Sequence, residues 1–139
     1  MTPPRFDDVN VGDELPPLAL PALDRATLAL FAGASGDHNP IHIDIDAARR
    51  VGLPDVIGHG MLSMAWLGRL VTNWVPQTAL KSLSVRFSGI THIGDVITCT
   101  GKVVAKDDAD GGRLVRIEVL AANQDGERKS AGEAIVALG

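Results

Sequence analysis

The second half of the chain alternates between apolar and polar positions, which is the period of a β-strand with one buried face. Leu83, Val85 and Phe87 share one face of such a strand, and Arg86 lies on the other. The later strands are rich in valine, isoleucine and threonine, and loops rich in glycine, aspartate and asparagine separate them. Together with a segment near the start of the chain, five strands are predicted, at positions 11–20, 83–88, 97–106, 115–119 and 134–138.

The first half follows a helical period interrupted by turns. A short helix capped by Asp24 is predicted to end near Gly33 or Gly36, because glycine readily adopts the backbone conformation that terminates a helix. A second short helix, over positions 47–51, is predicted to end at Gly52. These two helices frame a segment that contains most of the candidate chemistry.

A longer helix is predicted from about Gly60 to Trp74, and it is apolar on nearly every side. About 15 residues give a rod of roughly 22 Å. A helix without a polar face belongs in a core, so the later strands should wrap around it. We therefore predict an α+β fold in which an antiparallel sheet of about five strands surrounds a long central helix, as a single domain spanning residues 1–139.

Composition excludes several classes of function. The formal net charge is −4 and no basic block is present, so nucleic acid is not an expected partner. Cys99 is the single cysteine, which excludes an internal disulfide and is compatible with a reducing cytoplasm. The N-terminal residues lack the apolar core of a signal peptide. The longest apolar run, 61–75, is interrupted by polar residues and falls short of the roughly 20 that span a membrane. The expected location is the cytoplasm, without membrane contact.

Candidate chemistry is concentrated in the segment from Ser35 to His42. Gly36 tolerates a positive φ, and Pro40 disfavours a helix, so a tight and rigid turn is predicted. Such a turn presents Asp37 and His42 together, and a carboxylate beside an imidazole suits general acid–base chemistry. On these two residues alone, a structural turn with a capping aspartate and a hydrogen-bonded histidine is the simpler interpretation.

The surrounding sequence changes that interpretation. The run 31–44 has a Gly-Asp-x-Asn-Pro-aliphatic-His core, and a His-Gly-Met element follows at 59–61. This combination closely resembles the MaoC-like dehydratases, also called hydratase-2 or R-specific enoyl-CoA hydratases, over essentially the whole chain. The resemblance implies the hotdog fold and the reversible hydration of trans-2-enoyl-CoA to (R)-3-hydroxyacyl-CoA. It further implies that Asp37 and His42 are the catalytic residues and hold the reacting water between them.

The resemblance also suggests roles for neighbouring residues. Gly60 matches the glycine whose backbone N–H binds the thioester oxygen, and its predicted place at a helix start, where amides are free, favours the same role. The alternative is a glycine required only for close packing. Asn39 and Pro40 are expected to fix the turn, and His59 is expected to support the site structurally.

Other candidates carry less weight. His38 and His42 are four residues apart, but an i,i+4 metal pair requires a helix that Pro40 opposes, so no metal is expected. Arg86 is a candidate contact for a coenzyme A phosphate, across a dimer for example, and a solvated or ion-paired arginine is the alternative. Because no glycine-rich phosphate loop is present, coenzyme A is expected only as part of the substrate, with no cofactor.

Two questions stay open at this level. The alternative functions are a 3-hydroxyacyl-acyl-carrier-protein dehydratase, another hotdog enzyme such as a thioesterase, and a non-catalytic acyl-thioester-binding partner subunit. A single sheet also leaves edge strands that need cover. We therefore expect a homodimer or higher homo-oligomer, with a heterodimer of two hotdog chains as the alternative.

Overall fold

The computed structural model describes residues 2–139, which form three α-helices and five β-strands. In chain order the elements are β1 (Leu18–Ala19), α1 (Arg25–Ser35), α2 (Ile45–Arg50), α3 (Gly60–Thr72), β2 (Leu80–Phe87), β3 (Thr98–Asp107), β4 (Leu114–Ala122) and β5 (Arg128–Ala137).

The five strands form one antiparallel sheet in the order β1-β3-β4-β5-β2, and α3 contacts every strand of it. Alternate residues of the central strands point toward the helix and are buried completely, as the period-2 pattern requires. Leu67, Leu70 and Val71 are the helix residues that meet them. The predicted α+β architecture of a sheet packed on a helix is thus confirmed.

Two strands differ from their predicted extents. β1 comprises only two residues, because Pro16 and Pro17 precede it and have no N–H to continue the ladder. β5 begins at Arg128 rather than at residue 134. Its first residues are polar, yet Lys129 and Ser130 are buried and paired, so the apolar pattern could not reveal them.

The sheet covers only part of α3, so the prediction that the strands wrap around this helix was too strong for one chain. A sheet packs on one side of a helix, and here the other side carries Met61, which is 54% exposed, and the exposed Ala65. An apolar strip of helix therefore stays open, next to the turn that follows α1.

A second small core holds the candidate chemistry in place. Leu28 of α1, Ala48 of α2, Val56 of the loop before α3 and Leu62 of α3 are buried together, and Leu28 is completely inaccessible. Burying a leucine side chain contributes about 1.5–3 kcal/mol, so this cluster anchors α1 and α2 against the start of α3. The turn between α1 and α2 is fixed at both of its ends.

In the part of the chain that the structure describes, every helix is too short or too polar to cross a bilayer.

Candidate active site

The turn after α1 is built from local hydrogen bonds. The helix begins at an Asp24 cap, whose carboxylate accepts the Thr27 amide, and ends at Gly36, with a left-handed φ of 77°. The Asn39 side-chain oxygen then accepts the Ile41 amide and caps a 3₁₀ turn over Pro40–His42. A left-handed residue without Cβ strain and a proline at the first helical position explain why this sequence turns here.

This turn brings Asp37 and His42 together. Asp37 Oδ2 lies 4.0 Å from His42 Nε2, and the aspartate side chain is half exposed whereas the histidine is buried. A water oxygen about 2.8 Å from each atom fits this gap with an angle of roughly 90° at the oxygen. The separation is too long for a direct hydrogen bond and suits one bridging molecule.

A backbone carbonyl fixes the His42 ring. Its Nδ1 lies 2.7 Å from the carbonyl oxygen of Ile57, and because a carbonyl can only accept, Nδ1 must carry the proton. In the neutral ring Nε2 is then an unprotonated base that faces Asp37. The contact joins residues 15 positions apart in sequence, so the turn alone could not have predicted it.

His59 lies beneath His42 and is also buried. The two rings stack with centroids 3.8 Å apart, and Phe31 meets His59 edge-on at 4.9 Å. His59 Nε2 lies 3.2 Å from the backbone oxygen of Asp37, so it donates there, while Nδ1 has no partner within residues 2–139. The pKa of His59 lies below its ordinary value, and burial is the main cause. The hydrogen bond to the Asp37 backbone raises this pKa in part, and the nearby His42 lowers it further. The ring is therefore held neutral, as a support for the turn and for His42.

Potential ligand atoms of Asp37, His42 and His59 lie within 4.8 Å of one another, so a metal must be considered. A metal binds in the plane of an imidazole ring. The two rings have centroids 3.8 Å apart and planes inclined by only 21°. These planes therefore intersect roughly 10 Å from the rings, far beyond the ~2.1 Å of a metal–nitrogen bond. The two histidines do not fit a common metal ion in this arrangement.

Gly60 is the first residue of α3 and directly follows His59. As the first helical residue it has an N–H without an intrahelical acceptor, and it follows the His59 whose ring stacks on His42. A Cβ at this position would lie 3.2 Å from the Phe87 ring, which is tight. Both predicted explanations, a free amide and close packing, therefore have a structural basis.

An apolar groove of about 440 Å³ runs along the open side of α3. Its polar members are Ser35 and Asp37, so Asp37 lines an otherwise apolar groove. The lining is Phe31, Ser35, Asp37, Met61, Met64, Ala65, Gly68 and Leu83. The residues from α3 recur at a helical spacing, a signal that the sequence contained but that its uniformly apolar surroundings concealed.

Arg86 is not brought to this site within one chain. Leu83 lies against Gly68 and Phe87 against Gly60, so these β2 residues face α3. Because side chains alternate along a strand, Arg86 projects from the opposite face of the sheet, beside Glu133. Arg86 thus lies on the sheet face away from the Asp37–His42 pair of its own chain, and its contact with a coenzyme A phosphate, across a dimer for example, stays a prediction.

Curated relatives of this chain include hydratases and dehydratases of thioesters. An (R)-specific enoyl-CoA hydratase of Rhodospirillum rubrum is 29% identical over 97 residues, which cover 68% of this chain and 66% of the relative. A mitochondrial 3-hydroxyacyl-[acyl-carrier-protein] dehydratase of Arabidopsis thaliana is 29% identical over 86 residues. That match covers 62% of this chain and 52% of the plant protein. The chain thus spans only about half the length of that relative.

Solved structures agree over nearly the full length. The R-hydratase PhaJ1 of Pseudomonas aeruginosa superposes with a TM-score of 0.84 and 27% identity, covering 96% of this chain and 84% of that one. The ChsH1–ChsH2 complex of Mycobacterium tuberculosis gives a TM-score of 0.82 and 26% identity, covering 94% and 98%. This likeness confirms the predicted hotdog fold. The pattern of the MaoC like domain matches residues 9–124, and the chain therefore belongs to the MaoC-like dehydratase family.

Proposed function

We propose that this protein is a hydro-lyase that reversibly hydrates trans-2-enoyl-CoA to (R)-3-hydroxyacyl-CoA. The observation that carries the proposal is the 4.0 Å gap between Asp37 Oδ2 and His42 Nε2, which suits one water molecule and adjoins an apolar groove. The names of the relatives, which include an enoyl-CoA hydratase, support the same chemistry.

In the hydration direction, the pair removes a proton from the bound water while its oxygen bonds to C3. The C2–C3 π electrons shift toward the thioester carbonyl, whose oxygen becomes enolate-like. The pair then delivers the proton taken from the water to C2 and returns to its starting protonation state, so the H and OH of one water are added and no redox partner is needed. Asp37 and His42 are assigned this work jointly, without dividing the two proton transfers between them.

The enolate-like oxygen requires a hydrogen-bond donor, and Gly60 is our candidate. Its amide stands at the N-terminus of the 13-residue helix α3, where the helix dipole favours negative charge. A donor of this kind typically contributes 10²–10³-fold to the rate, or about 2.7–4 kcal/mol. Asn39, Pro40 and His59 hold the turn, and the mechanism needs no cofactor.

The groove fits the acyl part of the substrate, because its lining is almost entirely apolar. The thioester carrier is a separate matter. An acyl-carrier-protein dehydratase among the relatives makes 3-hydroxyacyl-acyl-carrier-protein the alternative substrate. A non-catalytic partner subunit is disfavoured, because both acid–base residues are present and face one another.

We propose a homodimer located in the cytoplasm. Edge strand β2 pairs with β5 on one side only, and Phe87 at its end is 52% exposed. Met61, on the adjoining side of α3, is exposed as well. Open edges and apolar surface of this kind are characteristic of interfaces. The heterodimer is the alternative, and the fold's likeness to a chain of the ChsH1–ChsH2 complex supports it.

The function is tested by following the loss of enoyl thioester absorbance over a series of acyl chain lengths, with both coenzyme A and carrier-protein substrates. Chiral analysis of the product checks the R configuration. We expect hydration of the coenzyme A series with the higher kcat/KM. A higher kcat/KM on carrier-protein substrates would favour the alternative, and no turnover of either series by the folded protein would refute the proposal.

A further inference from the structure

A second group of buried charges lies apart from the Asp37–His42 pair. Lys129 of β5 and Asp95, in the loop before β3, are only 3% and 7% exposed. The Lys129 ammonium is 3.6 Å from Asp95 Oδ2 and 3.5 Å from Glu127 Oε2, and it donates to the carbonyl oxygen of Ile90 at 2.8 Å. Nothing in the proposed reaction uses these residues.

The Asp95 carboxylate also holds the loop at residues 90–95, which precedes β3. Its Oδ2 accepts the His92 amide at 2.8 Å, and its Oδ1 accepts the Asn123 side-chain amide at 3.2 Å. Burial raises the pKa of Asp95, but the His92 and Asn123 hydrogen bonds and the Lys129 charge outweigh it, so the pKa lies below its ordinary value. The charged form is thus the one that the surroundings stabilise.

This loop in turn holds residues 57–58, and the Ile57 carbonyl is the hydrogen-bond partner of His42. The Gly58 amide donates to the Thr91 carbonyl at 2.8 Å, and Ile57 forms a β-bridge with His92. On its other side, the same segment accepts His42 Nδ1 at the Ile57 carbonyl, at 2.7 Å. The Gly58 position is tight, because a Cβ there would lie 3.1 Å from the Thr91 side chain. The loop and the histidine are therefore joined through one rigid segment.

Stability alone does not explain why charges are buried here. Desolvating a lysine and an aspartate costs about as much as their attraction returns, and apolar replacements of whole buried pairs are often neutral or stabilising. What a buried pair supplies is a fixed geometry, because removing one partner leaves the other uncompensated. The segment that this geometry controls is the one that orients the catalytic imidazole.

We propose that Lys129 and Asp95 are positioning residues for catalysis: they fix the loop at residues 90–95 so that the Ile57 carbonyl holds His42 in its Nδ1–H tautomer, with Nε2 toward Asp37. For its effect on turnover, this inference rests on the proposed hydratase function. Its effect on the His42 ring does not depend on any substrate. When the loop shifts, the Ile57 carbonyl moves, and the His42 proton distributes over both ring nitrogens.

The test uses Lys129→Met, which keeps an unbranched side chain only one atom shorter and removes its charge. The matched control is Arg116→Met, which breaks the exposed Arg116–Glu133 pair, at 3.3 Å, on the outer face of the same sheet. Nitrogen-15 NMR of the imidazoles in the full-length protein, without substrate, reports the His42 tautomer. Steady-state kinetics with an enoyl-CoA substrate report kcat and KM separately.

We expect the wild type and Arg116→Met to show His42 as a single Nδ1–H tautomer. Lys129→Met should show a tautomer mixture and lose about tenfold or more in kcat, with KM changed less than about twofold. The double variant Lys129→Met/Asp95→Asn removes both charges while keeping an acceptor for His92, and it should recover much of the loss. A unique Nδ1–H tautomer in Lys129→Met, or an activity loss equal to its unfolded fraction, would overturn the proposal.

Asp95→Asn provides the same two measurements if Lys129→Met does not fold, because it retains the His92 hydrogen bond. The tautomer measurement also separates the two hypotheses. If the wild type hydrates no thioester, the proposed function fails, whereas a tautomer change confined to the Lys129 and Asp95 variants still supports the positioning role.

Discussion

The Asp37–His42 pair can be tested by substitutions that remove its chemistry and retain its structure. Asp37→Asn keeps an oxygen for the Asn39 amide, which Asp37 Oδ1 accepts at 3.2 Å, and loses the basic carboxylate. For His42 the useful replacement is Asn rather than Ala. An asparagine amide nitrogen can occupy the position of Nδ1 and donate to the Ile57 carbonyl, while the basic Nε2 is lost.

The structure sets the expected magnitudes. A general acid or base contributes ~10²–10⁴-fold, which corresponds to about 2.7–5.4 kcal/mol at 1.36 kcal/mol per tenfold. Because both groups act on a single water across a 4.0 Å gap, Asp37→Asn/His42→Asn should lose far less than the product of the two single losses. Stability should change little in Asp37→Asn, since that side chain is half exposed. His42→Ala, in contrast, leaves the Ile57 carbonyl without its donor, at a cost of about 1–3 kcal/mol.

The assay is hydration of a trans-2-enoyl thioester by wild type, both single variants and the double variant, alongside urea unfolding of each. We expect each single variant to retain its fold and to lose at least about 100-fold in kcat. Near-wild-type turnover by either variant would show that the pair is only a structural turn. Fully multiplicative losses in the double variant would show that the two residues do not share one water.

Four further predictions follow from individual contacts. Gly60→Ala should lower kcat about tenfold or more by crowding the oxyanion position, and adding Phe87→Ala, which removes the 3.2 Å contact, should restore stability but not rate. Cys99 is completely buried and burial raises its pKa to about 12, so thiol reagents at pH 8 should modify it only after unfolding, as mass spectrometry would show. Burial lowers the pKa of His59 below its ordinary 6.5, so the folded state binds this proton less tightly than the unfolded state. The free energy of unfolding should then fall as the pH drops below about 6.5, and less so in His59→Gln; equal slopes would exclude His59 as the cause. Light scattering at micromolar concentration should give at least twice 14.6 kDa, whereas an active monomer would contradict the proposed assembly.

The sequence predicted those features that depend on neighbours in the chain. The cap at Asp24, the left-handed Gly36 and the turn through Pro40 follow from local backbone chemistry, and the structure has all three. The start of β5 was missed because its buried polar residues, such as Lys129, find partners far away in sequence. Hydrophobic patterns report which residues prefer an apolar environment, and they do not report which polar residues are buried together with a partner.

The same limit explains why the hydrophobic pattern could not distinguish the surroundings of His42 from those of His59. His42 and His59 are stacked and both are buried, yet their surroundings give them different chemistry. His42 has an acceptor at Nδ1 and a carboxylate facing Nε2, so it can exchange a proton with a bound molecule. His59 uses Nε2 to hold the Asp37 backbone and has a buried, unpartnered Nδ1 within the described chain, so protonation would leave a desolvated charge. Of the two rings, His42, which the Ile57 carbonyl orients, is therefore the one arranged for the proposed proton transfer together with Asp37, and the neutral His59 ring beneath it holds the Asp37 backbone.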